Sequence, residues 1–416
     1  MTLSGFASLL MAALAWLTLH PFKPASVAGV AVQWLCRWLV QNFAPYWLLA
    51  TVALLCALAA QEPASHPVTI VLSLLALVGF AMVYQRGHAT KTDVQSQVTA
   101  TLNALNALRA EDEPGASGGP KKGRLARLGL RPFHFGKANV SKIADINYGD
   151  GSKHHLLDIY LPRQAPSKPM PVLIQVPGGA WITGSKDQQA LPLLHRMAAL
   201  GWCCFSINYR LGPRARFPDM LVDVLSAVAW VKSHAHEYGG NPEFIVLTGG
   251  SAGGHLATLA ALEGDNPRFK PGFESSDTRV NLVVPFYGRY DFLNRDGLLP
   301  GDGLMPFLTN KVMPCSFEDC PDLWHSASPL SRINDRAPPF FIVHGSEDSM
   351  IPVEEARAFA RALGDASKNP VDFLEVPGAE HAFDMVCSSW CLPTLEGVVD
   401  VMNAYYNAHK GNQPPR

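Results

Sequence analysis

Charge is almost missing from the first 85 residues of this 416-residue chain, where Lys23, Arg37 and Glu62 are the only charged side chains. The whole chain has a formal net charge of −1, which gives no electrostatic reason to expect a nucleic-acid partner. No Lys or Arg precedes the first apolar segment, and further apolar segments follow it, so a cleavable signal peptide is not expected. The uncharged front therefore differs in kind from the rest of the chain, which has the composition of a soluble globular protein.

Three apolar segments in this front region approach the roughly 20 residues that cross a bilayer. They are about Leu3 to Leu19, Ala44 to Ala60 and Val68 to Tyr84. No polar face accompanies them, as it would on the surface helices of a soluble protein, so we expect transmembrane helices and retention in the membrane. The shorter segment Ser26 to Val40, which contains Arg37, is expected to lie along the membrane surface as an interfacial helix.

Basic residues near the spans predict the orientation of a multi-pass membrane protein. Lys23 and Arg37 lie between the first two spans, and Arg86 and Lys91 follow the third, whereas the loop of residues 61–67 has neither Lys nor Arg. This distribution places the remainder of the chain on the cytoplasmic side.

The 8 cysteines give a weaker signal that points the other way. Cys315 and Cys320 share one loop, and Cys387 and Cys391 lie close together further on. Both pairs suit small disulfides in an oxidising compartment, and both equally suit free thiols. Neither spacing has the matching second half of a zinc module, so no metal is expected.

The stretch Gly249-Gly250-Ser251-Ala252-Gly253 follows the apolar run Phe244 to Leu247 and opens a small-residue segment. Glycines allow a sharp strand-to-helix turn that presents a serine hydroxyl at the carboxyl edge of a sheet. A second match to the same pattern, Gly115 to Gly119, has no strand before it and no helix after it, and we interpret it as a linker. Ser251 is therefore the candidate nucleophile, with a plain helix cap as the alternative.

A nucleophilic serine needs a base and an orienting carboxylate. The apolar run Phe340 to Val343 leads into a polar loop with Asp348, and the run Val371 to Val376 leads into a loop with His381. We predict Asp348 as the acid and His381 as the base, because serine, acid and histidine in this order, each just past a strand, is the α/β-hydrolase arrangement.

Other residues near these positions remain as alternatives. Glu347 is the rival to Asp348 as the orienting acid. His344 and His255 compete with His381, and we interpret both as packing or structural groups beside the site. Asp291 is interpreted as a structural loop carboxylate.

A further strand, Val172 to Val176, ends in Pro177-Gly178-Gly179-Ala180-Trp181. Paired glycines let successive N–H groups turn toward a developing negative oxygen, so Gly178 and Gly179 are the predicted oxyanion donors. The amide of Ala252, just after the nucleophile, is expected to add another donor. One such donor is typically worth about 3 kcal/mol of transition-state stabilisation.

These motifs together resemble the hormone-sensitive-lipase-like carboxylesterases of the α/β-hydrolase superfamily over about residues 136 to 410. The motifs are the oxyanion loop Pro177 to Trp181, Ile207-Asn208-Tyr209-Arg210-Leu211, Phe217-Pro218 with Asp223 leading a helix to Trp230, the elbow at Ser251, His344-Gly345 through Asp348, and His381. Members of that group often begin the oxyanion loop with His-Gly-Gly-Gly, whereas this chain has Pro177 and Ala180. Backbone donation is compatible with that change.

Strand-like and helical runs alternate from about residue 138, which predicts an α/β fold with a mostly parallel sheet and helices on both faces. We predict a transmembrane region over 1–88, an amphipathic helix with a basic linker over 89–135, and an α/β-hydrolase catalytic domain over 136–410. Asp93 to Arg109 has helical apolar spacing and is expected to lie on the membrane, pair with itself or cover the hydrolase domain. The basic run Lys121 to Arg127 suits either an anionic lipid surface or a solvated linker.

The long excursion Asp291 to Pro338 is expected to line or cap an acyl pocket, with a packed surface excursion as the alternative. The expected reaction is hydrolysis of a small-molecule or lipid-like ester at the membrane through an acyl-enzyme on Ser251, with no cofactor. An amidase with the same triad and a non-catalytic ligand-binding member of the fold remain as alternatives. The oligomeric state is not predicted.

Overall fold

The computed structural model describes residues 2–22, 24, 26–60, 66–110, 132–133, 139–164, 166–298 and 303–411. The α-helices are α1 (Leu3–Leu19), α2 (Val27–Asn42), α3 (Ala44–Ala59), α4 (Pro67–Ala110), α5 (Leu191–Ala199), α6 (Asp219–His234), α7 (Ala252–Glu263), α8 (Leu304–Lys311), α9 (Pro321–Ser326), α10 (Val353–Ala366) and α11 (Cys391–Gly411). The strands are β1 (Val140–Asn147), β2 (Leu156–Pro162), β3 (Met170–Val176), β4 (Cys203–Ile207), β5 (Gly240–Gly250), β6 (Leu282–Phe286), β7 (Phe340–Gly345) and β8 (Val371–Val376).

The strands form one 8-stranded sheet in the order β1-β2-β4-β3-β5-β6-β7-β8. β2 runs antiparallel to β1 and β4, and the other neighbours pair in parallel. β3 is buried throughout, and apolar except for Gln175, because a parallel sheet is covered on both faces. Parallel β3, β5, β7 and β8 end at the same edge, so the loops that follow them meet there. The predicted mostly parallel sheet is confirmed.

Two apolar clusters cover the two faces of the sheet. One cluster includes Leu221 of α6 and Leu256 of α7, and the other includes Leu194 of α5 and Val398 of α11. Helices therefore flank the sheet on both sides, as an α/β-hydrolase fold requires.

The apolar front of the chain forms α1, α2, α3 and the first part of α4. By length and composition, α4 is the one described helix that can cross a membrane alone, over Pro67–Ala107. α2 and α3 meet the same criterion only as a pair bent by 81°, and α1 is apolar but has 17 residues. Of the three predicted spans, the described helices thus offer one, or two if the bent pair counts as a broken span.

The third predicted span and the predicted amphipathic helix are one helix, because α4 runs for 44 residues without a break. Between Tyr84 and Asp93 the chain has no proline and a single glycine, Gly87, which a helix tolerates. At about 1.5 Å per residue, α4 is about 66 Å long. The helix crosses residue 88, the predicted end of the transmembrane region.

The polar half of α4 covers the hydrolase domain, which is one of the three roles expected for it. Gln97 donates to the Glu375 carbonyl at 2.8 Å and accepts from the Glu375 N–H at 3.1 Å. Val98 packs so closely on Gly397 of α11 that a Cβ at Gly397 would lie 2.6 Å from it. The basic run Lys121 to Arg127 lies outside the described residues.

The two cysteine pairs differ. Cys315 and Cys320 form a disulfide, whereas Cys387 and Cys391 are not disulfide-bonded. The Cys391 thiol contacts the Asp384 carbonyl at 3.7 Å instead, and burial raises the pKa of Cys387 to about 11. The disulfide considered for Cys387 and Cys391 is therefore not formed.

Candidate active site

Ser251 occupies a strained turn between β5 and α7. Its φ of 57° and ψ of −122° lie outside the regions that residues with a side chain normally adopt. The turn is held because the Ser251 N–H donates to the Phe286 carbonyl at 2.9 Å. Gly253 is required two residues later, since a Cβ there would lie 2.0 Å from the Val176 carbonyl oxygen. The sequence pattern predicted this elbow, and the strain is the cost of presenting the hydroxyl at the sheet edge.

The loops after β7 and β8 bring the two other predicted residues to Ser251. His381 Nε2 lies 2.9 Å from Ser251 Oγ, and His381 Nδ1 lies 2.7 Å from Asp348 Oδ2. An ionised carboxylate only accepts hydrogen bonds, so Nδ1 has the proton and Nε2 is free to accept one from the serine. The three side chains form one continuous chain of hydrogen bonds.

Asp348 is buried and is held as an anion. Burial alone would raise its pKa, but the charge of His381 and the hydrogen bonds from His344 and His381 hold that pKa below its usual range. Its second oxygen, Oδ1, accepts the N–H groups of Met350 at 2.9 Å and Ile351 at 2.7 Å. The carboxylate is therefore fixed in position and charged at neutral pH.

Glu347, the alternative acid, turns away from the histidine. Its carboxylate pairs with Arg37 of α2, and Arg86 of α4 lies 4.0 Å from it. The geometry thus separates the two adjacent carboxylates and gives the contact with His381 to Asp348.

The three predicted oxyanion donors differ in whether their N–H group already has a hydrogen-bond acceptor. The Gly178 N–H donates to Gln189 Oε1 at 2.7 Å, so it is not available to a substrate oxygen in this conformation, contrary to our prediction. The N–H groups of Gly179 and Ala252 have no acceptor among the residues that the structure describes. Gly179 has a φ of 121°, which needs glycine and turns its amide. Gly179 and Ala252 therefore remain as candidate donors.

Side chains beyond the predicted set hold the oxyanion loop. Tyr209 is buried and donates its hydroxyl to the Pro177 carbonyl at 2.9 Å. The next residue, Arg210, is fixed by Asp223, with an Nη2–Oδ1 distance of 2.7 Å. Both residues belong to motifs that the sequence analysis quoted without a role. Tyr209 anchors the oxyanion loop, and Arg210 anchors the segment after β4 to α6.

His255 and His344 have structural partners, in line with their interpretation from sequence. The Trp181 indole N–H donates to His255 Nδ1 at 3.1 Å, and His255 Nε2 lies 2.8 Å from the Ala327 carbonyl. The bond that Nδ1 accepts from Trp181 requires a neutral ring, and burial lowers the pKa of His255 to about 3. His344 Nε2 lies 2.9 Å from the Ile351 carbonyl.

Tyr287 and Asp384 form a buried pair beside His381 that no sequence motif indicated. The Tyr287 hydroxyl hydrogen-bonds Asp384, and its ring centroid lies 4.6 Å from that of His381. Burial raises the pKa of both Tyr287 and Asp384. The pair packs against the imidazole.

The excursion from Asp291 to Pro338 contributes more to the core than its sequence suggested. Phe292, Met313 and Trp324 are buried in the apolar cluster that includes Trp181, so they are packing residues and not an open pocket wall. Leu299 lies outside the described residues. Asp291 accepts the N–H groups of its own loop, as expected for a structural carboxylate.

Among the described residues, no group of three or more His, Cys, Asp or Glu side chains is arranged to hold a metal ion. The candidate site therefore consists of a serine, an imidazole, a carboxylate and free backbone amides, the set of groups that acyl-transfer hydrolases use.

A strained serine elbow at the edge of this sheet defines the class of α/β-hydrolases, and the comparisons with known proteins agree. The BD-FAE family matches residues 157–363. The chain is 38% identical to "Probable carboxylic ester hydrolase LipM" of Mycobacterium tuberculosis, over 95% of this chain and 93% of that protein. It is 46% identical to "Esterase LipQ" of the same organism, over 65% of this chain and 64% of that protein.

The fold is shared with a solved structure, esterase B of Lactobacillus rhamnosis, at a TM-score of 0.56 and 18% identity, over 78% of this chain and 97% of that chain. At 18% sequence identity, this similarity supports a shared fold and nothing about function. The near full-length match to LipM shows the family: this chain belongs to the α/β-hydrolase carboxylic ester hydrolases.

Proposed function

We propose that this protein is a membrane-attached serine esterase that cleaves carboxylic esters through an acyl-enzyme on Ser251. The observation that carries the proposal is the unbroken chain from Ser251 Oγ to His381 Nε2 at 2.9 Å and from His381 Nδ1 to Asp348 Oδ2 at 2.7 Å. This geometry supplies the nucleophile, the base and the group that fixes the tautomer of the base.

In the first half-reaction, His381 Nε2 takes the proton of Ser251 as Oγ attacks the ester carbonyl carbon. The N–H groups of Gly179 and Ala252 stabilise the oxyanion. Asp348 stabilises the imidazolium and itself stays ionised. Collapse of the tetrahedral intermediate breaks the bond to the alkoxide, which receives the proton from His381.

In the second half-reaction, a water loses its proton to His381 and attacks the acyl-enzyme. Collapse then releases the carboxylic acid and returns the proton to Ser251. This sequence balances with water as the only co-reactant.

The proposed membrane attachment is supported by the outer surface of the N-terminal helices. Exposed apolar side chains continue around α1, α3 and the first half of α4, a surface that a soluble monomer rarely presents. Examples at these positions are Leu3 at 86%, Trp16 at 67%, Leu49 at 61%, Val68 at 70% and Leu75 at 60% exposure.

The contacts inside this helix bundle are of the kind that pack helices in lipid. The hydroxyls of Ser8 and Ser73 hydrogen-bond each other at 2.8 Å between α1 and α4. Gly79 lies so close to α1 that a Cβ there would be 2.7 Å from the Cβ of Ala15. Small residues and interhelical hydroxyl bonds replace the hydrophobic effect as the source of association in a bilayer.

We propose a lipid-like or small-molecule ester as the substrate, since membrane attachment brings the site to a bilayer. An amide hydrolase with the same triad remains the second candidate, because nothing in the triad itself distinguishes an ester from an amide. A ligand-binding protein without turnover is disfavoured by the complete set of catalytic groups.

The test is hydrolysis of p-nitrophenyl esters of increasing acyl length by the detergent-solubilised full chain, with Ser251→Ala in parallel. We expect turnover that disappears in the variant while the melting temperature is retained. Turnover of acyl anilides but not of esters would favour the amidase. No turnover of either, from a folded protein, would contradict the proposal.

A further inference from the structure

One face of α2 contacts the loop that contains His381. The face consists of Trp34, Arg37, Trp38 and Gln41, which have the i, i+3, i+4, i+7 spacing of one helix side. The opposite side of α2 is apolar and exposed, with Val32 at 62%, Leu35 at 47% and Leu39 at 37% exposure. α2 is therefore not simply an interfacial helix, because it lies between the exposed apolar surface and the catalytic loop.

Three of these side chains hold the backbone of the loop directly. The indole N–H of Trp34 donates to the His381 carbonyl at 3.0 Å, and that of Trp38 donates to the Ala382 carbonyl at 2.8 Å. Gln41 forms two bonds, donating to the Gly378 carbonyl at 2.8 Å and accepting from the Glu380 N–H at 3.0 Å. The backbone before and after His381 is thus fixed by a helix more than 300 residues away in the chain.

Arg37 holds the same loop through Glu380. Arg37 Nη1 lies 2.6 Å from Glu380 Oε2, and the two side chains are 1% and 0% exposed. Arg37 also donates to the Glu347 carbonyl at 2.9 Å. A single buried guanidinium therefore contacts both the loop with the acid and the loop with the histidine.

Glu380 joins the two catalytic loops. Its Oε1 accepts the N–H of His381 at 2.8 Å and the N–H of Ser349 at 2.7 Å, where Ser349 is the neighbour of Asp348. An ionised carboxylate can accept these bonds together, whereas a protonated one loses acceptor capacity. Glu380 thus links the backbone next to the acid to the backbone of the base.

We propose that Arg37 is a positioning residue for the catalytic histidine, and that α2 is an integral part of the active site of this esterase. Arg37 favours the ionised form of Glu380, Glu380 ties Ser349 to His381, and Trp34 and Trp38 hold the carbonyls beside the imidazole. The proposal rests on the triad described above.

The electrostatics of Glu380 make Arg37 necessary. Burial raises the pKa of Glu380 to about 7, and Arg37 opposes that shift. The charged groups that face Glu380 are Arg37 from α2 and Asp348 from the loop after β7, and the backbone N–H groups of Ser349 and His381 donate to it. Without Arg37 the pKa of Glu380 rises further, so a larger fraction of the carboxyl is neutral at pH 7 than in the wild type, and the bonds to His381 and Ser349 weaken.

The experiment compares Arg37→Gln, Arg37→Lys and Arg37→Gln/Glu380→Gln in the full-length protein in detergent, with Ser251→Ala as the blank. Arg86→Gln is the matched control, because Arg86 also faces Glu347 but is 48% exposed and 4.0 Å away. We measure kcat and KM for one p-nitrophenyl ester from pH 6 to 10.

For Arg37→Gln we expect kcat to fall about 10- to 100-fold at pH 7 with little change in KM, the scale typical of a misplaced catalytic group. The kcat of Arg37→Gln should recover in part at higher pH, because Glu380 ionises there. Arg37→Lys should retain a higher kcat than Arg37→Gln, because it keeps a positive charge. Arg37→Gln/Glu380→Gln should lack the pH dependence that Arg37→Gln shows, because residue 380 no longer titrates. A purely structural role would lower the melting temperature and leave the shape of the pH profile unchanged.

If Arg37→Gln does not fold, variants of Trp34 and Trp38 test whether α2 positions His381. Trp34→Phe and Trp38→Phe remove only the indole donors, and we expect each to lower kcat about 3- to 10-fold. Trp47→Phe is the control, since the Trp47 indole donates to Leu39 within the helix bundle. If the variants of Arg37 and of both tryptophans matched their controls in kcat, the positioning role would be wrong while the serine mechanism stood. Loss of the difference between wild type and Ser251→Ala would instead overturn the mechanism itself.

Discussion

Gln189 accepts the N–H of Gly178 at 2.7 Å, so a side chain 11 residues later in the sequence holds the backbone of the oxyanion loop. This bond uses one of the three amides predicted from sequence to bind the oxyanion, so we infer that Gln189 tethers the loop while Gly179 and Ala252 serve as the donors. The contact has a direct kinetic consequence.

We predict that Gln189→Ala lowers kcat about tenfold with a smaller change in KM, since the untethered loop aligns its remaining donor less well. The exposed neighbour Gln188→Ala is the matched control. The measurement is steady-state ester hydrolysis. A rise in kcat would mean that the Gly178 N–H is itself the donor and that Gln189 competes for it.

The two adjacent carboxylates should differ sharply in effect. Asp348→Asn removes the acceptor that fixes the tautomer of His381, and we expect kcat to fall by about 10⁴. Glu347→Gln removes a charge that contacts Arg37 and not the imidazole, so we expect a loss at least about 100-fold smaller. Equal losses in the two purified variants would contradict the assignment of Asp348.

Acid should destabilise the fold through His255. Its folded pKa is lowered to about 3 by burial, while the unfolded chain has the ordinary value of about 6.5. The unfolded state therefore binds more protons between these values, so stability is complete above about pH 6.5 and is lost as the pH falls toward 3. Protonation would also break the bond from Trp181.

This prediction is checked by thermal melts from pH 4 to 8. His255→Gln keeps a polar side chain without the titration and should flatten the pH dependence, at some cost in stability at pH 7. Exposed His236→Gln is the control. If the melting temperature of His255→Gln fell with decreasing pH as steeply as that of wild type, the acid sensitivity would belong to other groups.

Membrane attachment should depend on the exposed apolar face of α4. Val71 and Leu75, at 55% and 60% exposure, lie one helical turn apart on it. A lysine near the centre of a span costs about 2.5 to 3.5 kcal/mol, so Val71→Lys/Leu75→Lys should increase the fraction that a carbonate wash releases from membranes. Gln95→Lys, on the polar half of α4, should stay in the pellet fraction like wild type. Equal release of all three proteins would contradict the assignment of this face to lipid.

Local sequence predicted much of the site because each functional side chain lies just past an apolar strand, and parallel strands end at one edge. Ser251, Asp348 and His381 meet for that reason. Gln189 and Gly178 could not be paired from sequence, since their contact depends on the path of an irregular loop. Arg37 and Glu380 are 343 positions apart, and no period or motif links them.

The front of the chain was harder to predict because hydropathy identifies apolar helices but not what each side of a helix contacts. The pattern divided α4 at Tyr84, yet nothing between Tyr84 and Asp93 ends a helix. Sidedness stays a prediction: basic residues favour a cytoplasmic catalytic domain, whereas the disulfide of Cys315 with Cys320 is typical of oxidising compartments.

The most direct test of the central claim is the mass of the full-length protein after reaction with a fluorophosphonate, followed by peptide mapping. We predict one phosphonyl adduct per chain, located on Ser251, formed rapidly by wild type and very slowly by His381→Ala, because the serine must be activated by the imidazole. An adduct on another residue, or no adduct on a folded protein that still cleaves esters, would contradict a serine acyl-enzyme mechanism.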